Sequence, residues 1–259
     1  LWSRGLGDVY KRQVHLNLPF REPLVGTAGE LPDKARHVSF GSQTSASSVD
    51  DDEVARFAEL FAGRRGVIVA GRGCGARENV DQLATALGWP VFAEPRSSCT
   101  GIAHSIVHFD SVVRAVIDEP DFRPEFVLRL GEPPASKVAA QWITASEAVQ
   151  VHVAGGSRMF DPDHAVAVRV VCDVDSFTAG LQRSTKAVFD GGSRNQDSSW
   201  RERWLRASSA AVDAVDAALV QVTAATPVTV ARVLAKHLAP GSNLVVSSSM
   251  PVRNLEWFG

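Results

Sequence analysis

The sequence predicts a parallel α/β sheet, with helices connecting its strands. Short runs rich in valine and isoleucine recur along the chain, at Gly66–Ala70, Glu125–Leu130, Val149–Ala154 and Val166–Val171. Gly66–Ala70 is continuously apolar rather than alternating, which is typical of a parallel strand buried on both faces. Segments with helical spacing lie between strands, and this alternation favours a parallel sheet with right-handed crossovers.

Composition limits the class of protein. The chain has 259 residues, of which 45% are hydrophobic and 22% are charged, with a net charge of −2. At roughly 100–200 residues per domain, this is one large domain or two small ones. The charge balance disfavours nucleic-acid binding, and no apolar run reaches the ~18 residues of a membrane span. The three cysteines form no CxxC pair, so we expect a protein of the reducing cytoplasm.

The first half of the chain contains one clear strand–turn–helix unit. A helix begins near Asp50–Asp52, where carboxylates favour the positive end of the helix dipole. The strand Gly66–Ala70 leads through a glycine-rich turn into a helix over Ala76–Leu87, which Gly88 ends. Pro90–Ala93 is the next predicted strand.

The second half is less regular. A helix extends through Trp142 after the strand Glu125–Leu130, and a polar break at Gly191–Ser199 precedes a long helix over Trp200–Val222. Thr226 is predicted to cap the next helix, because threonine is a favoured N-cap residue and the following Pro227 is favoured at the first helical position. We expect a last strand over Asn243–Ser247.

The glycine-rich turn permits two interpretations. Gly71, Gly73 and Gly75 lie between a strand and a helix, where glycines let backbone approach a diphosphate. The pattern is GxGxG rather than the dinucleotide GxGxxG, and Glu94, the candidate ribose partner, is followed by Pro95. The pattern therefore favours a tight turn with close helix packing, and NAD or FAD binding remains the alternative.

Three side chains are candidates for binding an anionic ligand. Lys137 stands at the start of a helix that follows a strand, and Ser249 and Arg253 lie four residues apart after the predicted strand Asn243–Ser247. Open α/β sheets bind ligands beyond the carboxyl ends of strands, and an arginine with a nearby hydroxyl suits a carboxylate. The seven histidines show no metal-ligand spacing, so no metal site is predicted within the chain.

Four motifs, in order, resemble one enzyme family. They lie at Val14–Leu24, Val67–Pro95, Leu130–Trp142 and Ser248–Phe258. The chain is similar over Val14–Gly259 to the 2-succinyl-5-enolpyruvyl-6-hydroxy-3-cyclohexene-1-carboxylate synthase family of thiamine-diphosphate enzymes. Leu1–Gln13 instead resembles translated sequencing-adapter read-through, which we expect to be non-native.

The resemblance implies a domain organisation. Residues 14–40 would be the end of a pyrimidine-binding domain plus a linker, and 41–194 a Rossmann-like parallel-sheet middle domain. Residues 195–259 would be a linker helix and the start of a diphosphate-binding domain. The chain would therefore be a fragment of a longer enzyme, with partial domains on both sides of the middle domain.

The resemblance also implies a reaction. The family joins isochorismate to the four-carbon unit left when 2-oxoglutarate loses CO₂, with thiamine diphosphate and Mg²⁺ as cofactors. Ser249 and Arg253 would bind substrate from the diphosphate domain, and Lys137 would face the same cleft. Some members have an arginine directly after that lysine, where this chain has Val138.

The family's catalytic glutamate would lie upstream of Val14 and its Mg²⁺-binding motif downstream of Gly259. We therefore expect no catalytic, cofactor-binding or metal-binding residue within this chain, which alone would be inactive. The full enzyme would be a homodimer or homotetramer, without a nucleic-acid partner or a membrane span.

Two other functions stay open at this point. An enzyme of the acetolactate-synthase type would more often keep a flavin or nucleotide site in the middle domain. A free-standing Rossmann-like binding or regulatory module would have no catalysis at all. A pocket for a pathway product is a further hypothesis, based on the scattered Arg72, Arg96 and Arg114.

Overall fold

The computed structural model describes residues 49–156, 161, 164–192, 198–239 and 241–259. The predicted non-native segment 1–13 and the pyrimidine-domain end with its linker at 14–40 lie outside these residues. These expectations stay predictions.

The described residues contain one parallel sheet of five strands. The strands are β1 (Gly66–Ala70), β2 (Val91–Ala93), β3 (Phe126–Leu130), β4 (Val149–Ala154) and β5 (Val166–Val171), in the order β2-β1-β3-β4-β5. Every neighbouring pair is parallel. The α/β fold class is therefore confirmed. The strand order reverses between β1 and β3, which makes their carboxyl ends the topological switch point of the sheet.

Helices cover both faces of the sheet. The helices of the described residues are α1 (Asp51–Phe61), α2 (Arg77–Leu87), α3 (Phe109–Ala115), α4 (Lys137–Ala145), α5 (Val174–Asp190), α6 (Ser198–Leu219), α7 (Pro227–His237) and α8 (Met250–Phe258), of which α1 to α6 contribute to the two cores. Short 3₁₀ turns occur at Pro95–Ser97 and Pro120–Phe122. The helix expected over Trp200–Val222 is α6, with its ends shifted by two or three residues.

Successive strand residues enter two hydrophobic cores on opposite faces. Ile68 and Leu128 pack with α1, α2 and α5 in the first core, whereas Val67 and Val127 pack with α3, α4 and α6 in the second. Side chains of neighbouring strand positions point to opposite faces of a sheet. Because helices cover both faces, the central strand β1 is apolar and buried along its whole length.

Two tryptophans hold α6 against the second core. Trp200 donates an Nε1 hydrogen bond of 2.8 Å to the carbonyl oxygen of Gly66 on β1. Trp204 is fully buried and meets the rings of Phe92, Phe122 and Trp142 at centroid distances of 4.9–5.4 Å. The helix that follows the sheet domain is therefore anchored by buried aromatic side chains.

The strand expected over Asn243–Ser247 is wrong. These residues form no strand, and Val245 is 96% exposed. A strand is stable only when a neighbour accepts and donates its backbone hydrogen bonds, and no described strand lies beside this segment. Its apolar composition alone was therefore a misleading signal.

Three helices were not predicted: α3, α5 and α8. Within α5, the sequence contains Gly180 and several Ser and Thr residues, which have weak helix propensity, yet its buried face packs against α1 and α2. Tertiary packing therefore decides this helix. No helix in the described part of the chain is both long and apolar enough to cross a membrane.

Candidate functional site

The loops that follow β1 and β3 meet at the switch point of the sheet. The backbone N–H of Gly71 donates to the carbonyl oxygen of Leu130 at 3.0 Å, and the N–H of Glu132 donates to Arg72 at 2.9 Å. A Cβ atom on Gly71 would lie 1.5 Å from the carbonyl oxygen of Glu132. Gly71 is therefore required so that the two loops can pack backbone against backbone.

The amino end of α2 already holds a carboxylate from the protein. Asp175, on α5, accepts hydrogen bonds from the N–H of Ala76 at 2.6 Å and from the side-chain amide of Asn79 at 2.7 Å. At Gly75, which has a φ of +90°, a Cβ atom would lie 2.7 Å from the same carboxylate oxygen. The position that a dinucleotide diphosphate would take is therefore filled. This arrangement supports the turn-and-packing interpretation of the glycines.

Glu94 has a structural role at the same edge of the sheet. It is completely buried, and it accepts hydrogen bonds from the N–H of Arg72 at 3.1 Å and from the guanidinium of Arg96 at 2.9 Å. Burial raises the pKa of this carboxyl group, although Arg96 acts in the opposite direction. Glu94 is thus committed to the loop and does not offer a free acceptor for a ribose.

The arginines of the hypothetical product pocket are paired with acids. Arg72 and Arg96 both contact Glu132, at 2.9 and 3.4 Å, and Arg114 contacts Asp110 at 2.8 Å. These ion pairs give each guanidinium a partner within the chain. They lend no support to a separate pocket for a pathway product.

Lys137 is the first residue of α4. Ser136 caps this helix, because its Oγ accepts from the N–H of Ala139 at 3.0 Å. The same hydroxyl donates to buried Asp110, on α3, at 2.5 Å. Lys137 itself is exposed, so its ammonium group lies beside the positive end of a fixed helix.

A cleft of about 180 Å³ adjoins Lys137. It is lined by the Pro133–Lys137 loop and by strand residues that include Arg129 and Gln150. Val138, which replaces the second cation seen in some relatives of the resembled family, is partly buried against the second core. Only one cation therefore projects from the start of α4.

Ser249 and Arg253 lie at the start of α8. Ser249 directly precedes the helix and has a φ of +71°, which is uncommon for any residue other than glycine. Arg253 follows one turn later, and both side chains are exposed. The structure therefore places these residues at a helix amino end rather than in the open loop after a strand.

Helices α4 and α8 both pack against α3. Helix α8 also touches the Pro95–Ser97 turn. Two buried acids lie in this region, Asp110 on α3 and Glu256 on α8, at 2% and 5% exposure. The sequence analysis missed both acids, because a single acid in a helix belongs to no recognisable motif. The apolar residues around each acid were the only signal in the sequence that it is buried.

The described residues do not fit a Mg²⁺–diphosphate group. Nowhere among them do three histidine, cysteine, aspartate or glutamate side chains converge as metal ligands would. Asp173 and Asp175, the adjacent acids after β5, are used as helix caps: Asp173 accepts from the N–H of Ser176 at 2.7 Å, and Asp175 caps α2. We therefore assign to these residues no catalytic step that involves the cofactor.

Comparison with known proteins identifies the family. A family model described as "Middle domain of thiamine pyrophosphate" matches residues 36–246. The chain is 32% identical to a Myxococcus xanthus protein and 30% identical to a Bacillus velezensis protein, over 95% and 100% of this chain but 43% and 46% of the relatives. A Rubrobacter xylanophilus protein is 33% identical over 95% of this chain and 44% of its own length.

All three relatives are named 2-succinyl-5-enolpyruvyl-6-hydroxy-3-cyclohexene-1-carboxylate synthase. The chain spans less than half of the length of each. The family model, by contrast, covers most of the chain, including every strand of the parallel sheet. The chain belongs to the family of thiamine pyrophosphate middle domains.

Proposed function

We propose that this chain is part of a thiamine-diphosphate-dependent 2-succinyl-5-enolpyruvyl-6-hydroxy-3-cyclohexene-1-carboxylate synthase of menaquinone biosynthesis. The full protein would decarboxylate 2-oxoglutarate and add the remaining four-carbon unit to isochorismate. The observation that carries this proposal is the similarity to relatives of that name over 95–100% of the chain. Bound thiamine diphosphate would supply the electron sink for the loss of CO₂.

In this proposal, the chain's own residues bind and orient polyanionic substrates. Lys137 offers an ammonium group beside the amino end of α4, and both the charge and the helix dipole attract a carboxylate. Arg253 offers a planar fork that can bind a carboxylate through two hydrogen bonds. The positive φ of Ser249 supports a binding role, since strained backbone concentrates at ligand sites.

The domain boundaries follow from the same proposal. The sheet and helices α1 to α5, within residues 41–194, would be the middle domain, and residues 195–259, which begin with α6, would lead into a diphosphate-binding domain. Mg²⁺ and most contacts to the cofactor would come from other parts of the full protein. A homodimer or homotetramer in the cytoplasm is the expected form of the enzyme.

The test uses the full-length protein. Replacing either Lys137 or Arg253 by Ala should lower kcat/KM for isochorismate plus 2-oxoglutarate by about 10- to 100-fold, the usual cost of losing a hydrogen bond to a charged group. Isochorismate loss is followed in the presence of thiamine diphosphate and Mg²⁺.

Two matched variants control for loss of surface charge. Lys186→Ala on α5 and Arg206→Ala on α6 remove exposed cations from helices that carry no proposed substrate-binding residue, and both should leave kcat/KM unchanged. Equal effects of the site and control variants would contradict the binding roles. Consumption of pyruvate without isochorismate would instead favour an enzyme of the acetolactate-synthase type.

A further inference from the structure

Glu256 is a buried acid that has no hydrogen-bond partner in the part of the chain that the structure describes. It lies on α8, three residues after Arg253, and is 5% exposed. Both of its carboxylate oxygens are buried, and among the described residues neither receives a hydrogen bond. Buried polar groups are nearly always paired, and an unpaired buried charge is especially unfavourable. The neutral, protonated form of this side chain therefore fits its surroundings better than the anion.

The charges around Glu256 also oppose a second anion. The negative charges of Asp110, on α3, and of Glu94, at the carboxyl end of β2, both disfavour the ionised form of Glu256. The nearby cations are Arg96, which is already engaged by Glu94, and Arg253, which is exposed. Together, burial and the two neighbouring acids raise the pKa of Glu256 to about 8.

Helix α7 supplies no counterion to Glu256. It packs against α8, and its Arg232 pairs with Asp216 at 2.8 Å and donates to the carbonyl oxygen of Gly259 at 3.3 Å. Lys236 also contacts Asp216, at 3.1 Å. The charged groups of this helix are thus directed to other partners.

Asp110 lies on α3, the helix that packs against both helices carrying the proposed substrate cations. Its carboxylate receives the hydroxyl of Ser136, the cap that starts α4 at Lys137, and the guanidinium of Arg114. Helix α3, which carries Asp110, is also the helix against which α8 packs. A change in charge at Glu256 would therefore act at the contact between α8 and the element that fixes α4.

We propose that Glu256 is a positioning residue: as a neutral carboxyl group it lets α8 pack against α3 and the Pro95–Ser97 turn, which holds Arg253 in place relative to Lys137. The proposal rests on the substrate role proposed above for these two cations. When Glu256 ionises, three carboxylates come together in a buried space. Their repulsion weakens the contact of α8 with α3 and hence the binding of substrate carboxylates.

The test is the pH dependence of KM in the full-length enzyme. As the pH is raised from about 6.5 to about 9.5, the ratio of the wild-type KM for isochorismate to that of Glu256→Gln should increase roughly five- to tenfold. The kcat of both enzymes should change little. Glu256→Gln mimics the neutral acid, so it should match the wild type at the low end and lack this rise. Glu256→Ala, which removes the side chain, should raise KM at every pH.

The matched control is Glu202→Gln, the same change at an exposed position of α6, which should follow the wild type throughout. The proposal is overturned if Glu256→Gln shows the same rise in KM as the wild type. It is also overturned if Glu256→Gln behaves like Glu256→Ala at neutral pH, because the charged form would then be the one required.

A second measurement separates this proposal from the function itself. If the wild-type enzyme consumes no isochorismate at any pH, the proposed function fails, but urea unfolding still tests Glu256. A raised pKa stabilises the folded state most at low pH, and this stabilisation is lost as the pH rises from about 4.5 to about 8. The wild type should lose stability relative to Glu256→Gln over that range. If the free energies of unfolding of the two proteins change equally with pH, Glu256 is not a buried neutral acid.

Discussion

Two buried titratable residues respond to pH in opposite directions. Burial raises the pKa of Glu256 and lowers that of His108 to about 4, with Arg232 adding to the effect at the histidine. His108 is 2% exposed, and neither ring nitrogen has a hydrogen-bond partner among the described residues. Glu256 therefore favours the folded state at low pH, whereas His108 disfavours it there.

Replacing His108 by Asn should reduce the loss of stability on acidification. In the wild type, the unfolded chain binds a proton near pH 6.5 that the folded state resists until about pH 4, so stability falls over this range. The contribution of His108 is about 3 kcal/mol, the free energy that corresponds to lowering the pKa of the imidazole from 6.5 to about 4. Asn accepts the positive φ of 57° at this position.

Urea unfolding at several pH values measures this effect. His164→Asn is the matched control, because His164 also has a positive φ, of 52°, but is exposed. The free energy of unfolding of that variant should depend on pH as that of the wild type does. If His108→Asn also shows the pH dependence of the wild type, the histidine is not held neutral by burial.

At the scale of elements, α2 depends on a cap from another helix. Its own N-cap position is Ala76, which has no side-chain acceptor, and the missing acceptor is Asp175 of α5. Apolar spacing was enough to predict the helix, but its amino end is stabilised by a residue 99 positions away. The two helices are therefore coupled through one carboxylate.

Asp175→Ala should destabilise the protein by about 1–2 kcal/mol, since it removes a helix cap and leaves the Ala76 N–H without its acceptor. Chemical unfolding gives the value directly. Asp190→Ala, at the exposed carboxyl end of the same helix, should change stability by no more than about 0.5 kcal/mol. An equal, small effect of both substitutions would contradict the capping role.

At the scale of the whole molecule, aromatic packing joins α6 to the sheet. Trp204 is fully buried between Phe92, Phe122 and Trp142, and it occupies the centre of the second core. The elements beyond the sheet follow from α6 along the chain. The second core therefore stabilises the middle domain and fixes the start of the segment that leads to α8.

Trp204→Ala should lower the free energy of unfolding by about 3–5 kcal/mol, the usual cost of removing a large buried aromatic side chain. Val220→Ala, at a position that is 73% exposed just after α6, should have almost no effect. Urea unfolding followed by tryptophan fluorescence and circular dichroism compares the two. A loss below about 1 kcal/mol for Trp204→Ala would show that α6 is not anchored by this core.

The sequence by itself determined the five strands of the sheet, five of the helices and the family resemblance. Runs of β-branched residues predicted the strands, and apolar spacing predicted α1, α2, α4, α6 and α7, because these signals depend on neighbours within a few positions. The order of the motifs predicted the family, which the comparisons confirm. The roles of Lys137, Ser249 and Arg253 stay predictions that the full enzyme must test.

Only the tertiary structure decided what the glycine-rich turn and the buried acids do. Asp175 fills the amino end of α2, Glu94 holds the turn, and the sulfur atoms of Cys74 and Cys99 lie 3.6 Å apart. It also showed that Asn243–Ser247 is not a strand, because no described strand pairs with it. Each of these outcomes depends on contacts between residues distant in the sequence, and such contacts leave no periodic pattern in the chain.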